Sequence, residues 1–196
     1  MKKYNLSRSL LGLGVGLMLC GGCGPEPTGD TPHPSAQEPG TVTQELNVIT
    51  NGSFETAPPL GFSNYINLGP STTGLTGWTV TGNVMLMSNT YKPPKHGLRT
   101  IGLSAGGVTQ TFLTTPGYGY TVQFALSTSP NCATSSRTVD VSANGVTYNF
   151  STSSASWAYR NFVFNATSTS TAITLKNSYT GQTCGPAIDD VTVTGP

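Results

Sequence analysis

At 196 residues the chain has room for one domain of ordinary size with extensions, and charged side chains make up only 9% of it. That poverty of charge, with 24 glycines and abundant Thr and Ser, suits a turn-rich all-β protein whose strand faces carry hydroxyls. The net charge of +1 is scattered and cannot neutralise a run of phosphates, which argues against nucleic acid as a partner.

Lys2, Lys3 and Arg8 precede an apolar run at 10–19 and then Cys20-Gly21-Gly22-Cys23. A basic start and a short apolar stretch read as an export signal, too short for an ordinary membrane span. Small residues directly before Cys23 point to bacterial lipoprotein processing, with a lipidated Cys23 opening the mature chain. Cys20 is the alternative lipid site, and a plain cleaved signal is the reading without lipid. Residues 1–23 are therefore expected to export the chain. It would then be lipid-anchored at the bacterial outer membrane or cell surface, or secreted, and would meet a membrane only through the anchor. Gly12-Leu13-Gly14-Val15-Gly16 faintly resembles a phosphate-binding turn, but it lies inside the apolar run with no strand before it.

Residues 24–45 carry Pro25, Pro27, Pro32, Pro34 and Pro39 among polar and acidic side chains. Such a segment cannot bury enough apolar area to offset the entropy of ordering it, so a disordered, extended tether is expected. His33 has no scaffold there that would make it a metal ligand.

Residues 46–196 read as the folded part. A strand is expected at 46–50, running into Asn51-Gly52-Ser53-Phe54-Glu55, and Pro58-Pro59 opens a loop through Tyr65 and Gly69-Pro70. Short strands follow at 77–80, 84–87, 98–104 and 108–113. At 120–126 apolar side chains alternate with Thr121, Gln123 and Ala125, the period of a half-buried strand. Runs at 139–141 and 146–150 flank Asn144-Gly145, a strong hairpin signal because both residues accept positive φ. Strands at 160–165, 172–176 and 188–194 complete an all-β jelly-roll sandwich.

Cys132 and Cys184 are the cysteines of the folded part, and in an exported chain an even pair reads as a disulfide. Closing that loop stabilises by ~4 kcal/mol in the chain-entropy account. A free thiol or a metal pair is the rival, unsupported by any CxxC spacing or histidine cluster. Gly102-Leu103-Ser104-Ala105-Gly106 matches the nucleophile-elbow pattern formally, but a strand rather than a helix follows and His96 precedes it. Glu55 and Asp189, near the first and last strands, are expected to lie close together. Asp189 is in phase with Val191 and Val193 and should face the core, where a carboxylate needs a partner. A shared cation is one candidate; Lys95, Arg99 or backbone N–H groups are the others.

Several segments in order resemble the domain-of-unknown-function 642 family, within the galactose-binding-domain-like superfamily that includes many carbohydrate-binding modules. They are Asn51-Gly52-Ser53-Phe54-Glu55, Gly77-Trp78, Val108-Thr109-Gln110-Thr111-Phe112, Pro116-Gly117, Trp157, and Cys184-Gly185-Pro186-Ala187-Ile188-Asp189. The resemblance implies a jelly roll in secreted or wall-associated proteins, supports pairing Cys132 with Cys184, and implies polysaccharide as partner. It also implies a structural Ca²⁺ held by Glu55 and Asp189 with backbone carbonyls, since Ca²⁺ takes six to eight oxygens.

Sugar recognition needs aromatic faces and a few polar groups that orient hydroxyls. Trp78 and Trp157 adjoin apolar strands and read as packing. Tyr65, Tyr91, His96 and Tyr179, in loops beside Asn64, Asn89 and Asn177, are the candidate ligand-binding residues. A glycosidase would need two carboxylates roughly 5 to 10 Å apart in an open cleft, whereas those present sit at strand ends. The expected function is a non-catalytic extracellular carbohydrate-binding module for cell-wall or extracellular polysaccharide. The alternative is a surface structural or protein-interaction module without sugar affinity.

Overall fold

The computed structural model of the chain describes residues 46–70, 74–132, 135–179 and 184–196. The expected export signal, Cys20 and Cys23, the tether and His33 lie outside the described residues.

Every strand pairing is antiparallel. One sheet runs β10 (Ala158–Asn165), β7 (Gly119–Thr128), β12 (Pro186–Gly195), β5 (Arg99–Gly102), β4 (Val84–Ser88), β2 (Tyr65–Leu68), with β1 (Leu46–Asn47) also paired to β12. The other runs β3 (Thr79–Thr81), β6 (Gly107–Leu113), β11 (Ser170–Asn177), β8 (Arg137–Ala143), β9 (Val146–Thr152). No helix forms among the described residues. The result is the expected jelly-roll sandwich.

The two inner faces supply the core: Leu86, Ile101, Val122 and Val193 from one sheet, Val80, Val108, Leu175 and Val141 from the other, all buried. Each such side chain stabilises by roughly 1.5–3 kcal/mol relative to exposure. The outer face of the five-stranded sheet explains the hydroxyl-rich composition. Thr79, Thr109, Thr174, Ser142 and Thr147 stand opposite one another across all five strands. Thr109 and Thr174 hydroxyls bond at 2.9 Å.

The Asn-Gly joint forms as expected: Ala143 pairs with Val146, and Asn144 and Gly145 take φ of 51° and 77°. Two local expectations fail. The strand at 46–50 stops at Asn47, because the Thr50 N–H turns away to Gln110 Oε1 (2.7 Å), whose amide returns a bond to the Thr50 carbonyl. The loop expected through Tyr65 instead forms β2, an edge strand of 4 residues too short to leave a periodic signal.

The first and last strands do meet. Leu46 pairs with Gly195, Val48 N–H donates to the Val193 carbonyl, and Val191 N–H donates to the Gly52 carbonyl at 2.9 Å. A Cβ on Gly52 would collide with the Val191 carbonyl, so glycine is the residue that permits this approach. In β12 the register slips by one residue between Asp189 and Thr192, with Asp190 at φ 48°. This β-bulge sits where Asp tolerates the left-handed region.

Candidate functional site

Asn51 anchors the turn that follows β1. Asn51 takes φ 53°; its Nδ2 donates to the carbonyls of Thr56 and Thr76, and its Oδ1 accepts the Thr56 N–H, each at 2.9 Å. The Asn51 carbonyl accepts Trp78 Nε1 at 2.9 Å, and the Trp78 ring packs on buried Phe54. Trp78 is therefore a core residue, as read.

These contacts aim Glu55 at the segment joining β4 to β5, residues 89–98. Glu55 Oε1 accepts the N–H groups of Leu98 and Arg99, both at 2.9 Å. From the other side Asp189 Oδ2 accepts the N–H groups of Lys95 (2.6 Å) and His96 (2.9 Å). Its Oδ1 accepts Asp190 N–H at 2.7 Å. Glu55 and Asp189 thus converge on one loop and hold it by its amides. Gly97 at φ +72° lies so near Glu55 that a side chain there would strike the carboxylate.

Burial pushes the fully buried Asp189 carboxyl up to about 6, its three amide donors acting the other way and the neighbouring Asp190 charge adding to the rise. The hydrogen bond that Tyr159 OH donates to Asp190 Oδ2 (2.5 Å) pushes that phenol up to about 12, helped by partial burial and the charges of Asp190 and Asp189. Lys95 Nζ lies 5.0 Å from the Tyr159 ring centre. Lys92 is buried, which lowers its pKa; its Nζ donates to the Ala155 carbonyl and lies 4.7 Å from the Trp157 ring centre. Trp157 Nε1 in turn donates to the Pro93 carbonyl at 2.9 Å.

Amide hydrogens therefore face Glu55 Oε1 and both Asp189 oxygens, three of the four carboxylate oxygens that a shared Ca²⁺ would use. Among the described residues no group of three or more His, Cys, Asp or Glu side chains could hold a metal. These hydrogen bonds fit the backbone N–H alternative for both carboxylates.

Beyond the clamp lies an open cleft of about 330 Å³, lined among others by Phe62, Asn64, Ser88, Asn89, Leu98 and Arg99. Phe62 is fully exposed and Leu98 is 61% exposed. The polar side is pre-arranged: Thr90 Oγ1 donates to Asn64 Oδ1 at 3.1 Å and shares a 2.8 Å bond with Ser88 Oγ. Beside Asn64 and Thr90 in the chain, the rings of Tyr65 and Tyr91 pack at 4.9 Å. Arg99 is half-buried, and its Nη1 is covered by protein without a hydrogen-bond partner. No carboxylate is among the described residues that line the cleft.

Of the sequence candidates, Tyr65 and Tyr91 come together beside this cleft and His96 is exposed on the clamped loop. Tyr179, 51% exposed, lies past the end of β11, its N–H bonded to Asn177 Oδ1, and is not among the cleft residues. Sequence reasoning missed Phe62 and Arg99. A phenyl ring in the polar turn Gly61-Phe62-Ser63-Asn64 was the available signal for the first. A second concavity of about 440 Å³, between β1 and β6, is lined by Leu46, Leu113 and Gln110, whose amide is already committed to Thr50.

Ser104 of the elbow-like motif is buried between β5 and β6, and its carbonyl accepts Asn177 Nδ2. Cys132 and Cys184 form a disulfide with Cα atoms 5.5 Å apart.

Among solved structures, a family 35 carbohydrate-binding module from Clostridium thermocellum is similar at 14% identity and a TM-score of 0.47, covering 67% of this chain and 98% of its own. The CBM22-1 xylan-binding domain of Paenibacillus barcinonensis Xyn10C is similar at 12% identity and a TM-score of 0.46, covering 67% of this chain and 92% of its own. No curated protein matches the chain. The family described as "Protein of unknown function (DUF642)" matches residues 47–194, almost the whole of the sandwich with its clamp and cleft, and the chain belongs to that family.

Proposed function

We propose that the chain is a non-catalytic extracellular module that holds a cell-wall or extracellular polysaccharide in the cleft between the 60–64, 88–91 and 98–99 segments. The exposed ring of Phe62 beside a polar wall carries this reading. An aromatic face fully in water is unfavourable for the free protein, whereas the C–H face of a pyranose desolvates it and the Asn and Ser groups orient hydroxyls.

The carboxylates support a non-catalytic role. Glu55 and Asp189 are spent on backbone amides, Asp140 on Asn149 and Ser178, and Asp190 on Tyr159. Export rests on the basic-apolar-cysteine pattern of residues 1–23, and the disulfide is compatible with an oxidising compartment. Lipidation at Cys23, or at Cys20, would hold the module at the cell surface on its Pro-rich tether.

Retention of the protein on a panel of insoluble polysaccharides tests the reading. At least one polysaccharide should retain it, and Phe62→Ala should be retained less. A panel that retains neither protein would refute it.

A further inference from the structure

The seven-stranded sheet ends at β2 and β10, and the five-stranded sheet ends at β3 and β9. β2 and β3 are only 4 and 3 residues long. β10 carries Arg160, and the β8–β9 hairpin caps its edge: Tyr148 OH donates to the Val163 carbonyl, and Asn144 Nδ2 to the Asn165 carbonyl. Short, charged or covered strands are the ordinary defence of a sheet edge against further pairing. β9 has none of these defences. It runs for 7 residues without charge, proline or bulge. The two-residue joint between Ala143 and Val146 turns the N–H and C=O groups of Val146, Tyr148, Phe150 and Thr152 toward β8. Those of Thr147, Asn149 and Ser151 are left on the open side, and among the described residues no hydrogen bond reaches them.

We propose that β9 pairs antiparallel with β9 of a second copy of this chain, about a two-fold axis through Asn149. Around that residue the strand Val146-Thr147-Tyr148-Asn149-Phe150-Ser151-Thr152 reads nearly the same in both directions. Thr147 then stands opposite Ser151, Tyr148 opposite Phe150, and Asn149 opposite its own copy, so hydroxyls meet hydroxyls and rings meet rings. The open N–H and C=O groups fall on the Thr147–Ser151 and Asn149–Asn149 pairs, and each such pair exchanges both bonds. Near a two-fold axis a charge meets its own copy, and this edge carries none. Asp140 on β8 already accepts Asn149 Nδ2 and stands opposite Lys176. The cleft lies by β2, β4 and β5, at the other end of its sheet from β10, whose Phe162 stacks on Tyr148 of β9. Self-pairing through β9 therefore leaves both clefts open.

Sedimentation of the intact protein tests the pairing. A contact of one strand pair is small and makes a weak dimer, so the mass should be twice the monomer's at about 100 μM and fall to the monomer's at about 1 μM. Amide exchange at Thr147, Asn149 and Ser151 should slow over the same rise in concentration. Thr147→Pro removes one open N–H while keeping the bonds to β8, and Asn149→Lys sets two cations together at the axis. Each variant should stay monomeric at the higher concentration with a melting temperature near that of wild type. Asn149→Cys should cross-link two copies on oxidation, because Cα atoms of a directly opposed, hydrogen-bonded pair lie about 5.5 Å apart, and Ser170→Cys should not. The wild-type mass and exchange need no variant, so they decide the matter even if an edge variant fails to fold. A protein that stays monomeric at the higher concentration overturns the proposal. So does a dimer that persists in both edge variants, or one that leaves the three amides exchanging fast.

Discussion

Asp189 has no exposed surface, yet three backbone N–H groups converge on its carboxylate. Burial wins over those donors, so the native state keeps a proton that the unfolded chain has already released. A folded pKa raised to about 6 gives stability that is fully present near pH 4 and is lost as pH rises through 6. Asp189→Asn cannot titrate, so its melting temperature relative to wild type should rise between pH 4 and pH 7. A constant difference across that range would show that the carboxyl is already ionised in acid. Tyr159, held up to about 12, works at the other end: its share of stability is present below pH 10 and lost as pH climbs toward 12. Tyr159→Phe should flatten the alkaline loss of stability, and a spectroscopic phenol titration should lose a group that ionises near pH 12. Because backbone amides already occupy Glu55 Oε1 and both Asp189 oxygens, calcium and a chelator should leave the melting temperature unchanged. A rise with calcium would mean that the clamp opens to admit the ion.

The loop at 89–98 is held at Lys95 and His96 by Asp189 from the last strand and at Leu98 and Arg99 by Glu55 from the first turn, both far away along the chain. Its placement, and with it that of Leu98 and Arg99 in the cleft, depends on the Asn51 turn that aims Glu55. Asn51→Ala removes three side-chain hydrogen bonds and a residue suited to positive φ, and should destabilise the fold by about 3 kcal/mol in chemical unfolding. A loss under 1 kcal/mol would show that the turn is held by Phe54 and Trp78 packing alone. Much of this element was legible in the sequence, for a physical reason. Asn-Gly pairs, alternating apolar runs and carboxylates in phase with core valines are local signals, and local chemistry decides them. What escaped depended on contacts far along the chain. Thr50 leaves the first strand because Gln110 reaches it, and β2 exists because β4 offers an edge. The position of Arg99 likewise depends on Glu55, which accepts its backbone N–H across a separation of 44 residues. Tyr179 looked like Tyr65 and Tyr91 in sequence, but the topology carries it to the end of β11.

At the scale of the whole sandwich, β1 and β12 lie side by side, and the disulfide ties the segment after β7 to the one before β12. Replacing both cysteines with serine should lower stability by ~4 kcal/mol, because the 52-residue separation that they close is then free in the unfolded chain. Phe62 stands exposed in a loop that lines the cleft. The most direct measurement is therefore polysaccharide affinity for Phe62→Ala set against Tyr179→Ala, each with its melting temperature. The account predicts that Phe62→Ala loses about tenfold or more in affinity at an unchanged melting temperature while Tyr179→Ala binds as wild type. Full binding by Phe62→Ala, or loss confined to Tyr179→Ala, would contradict it.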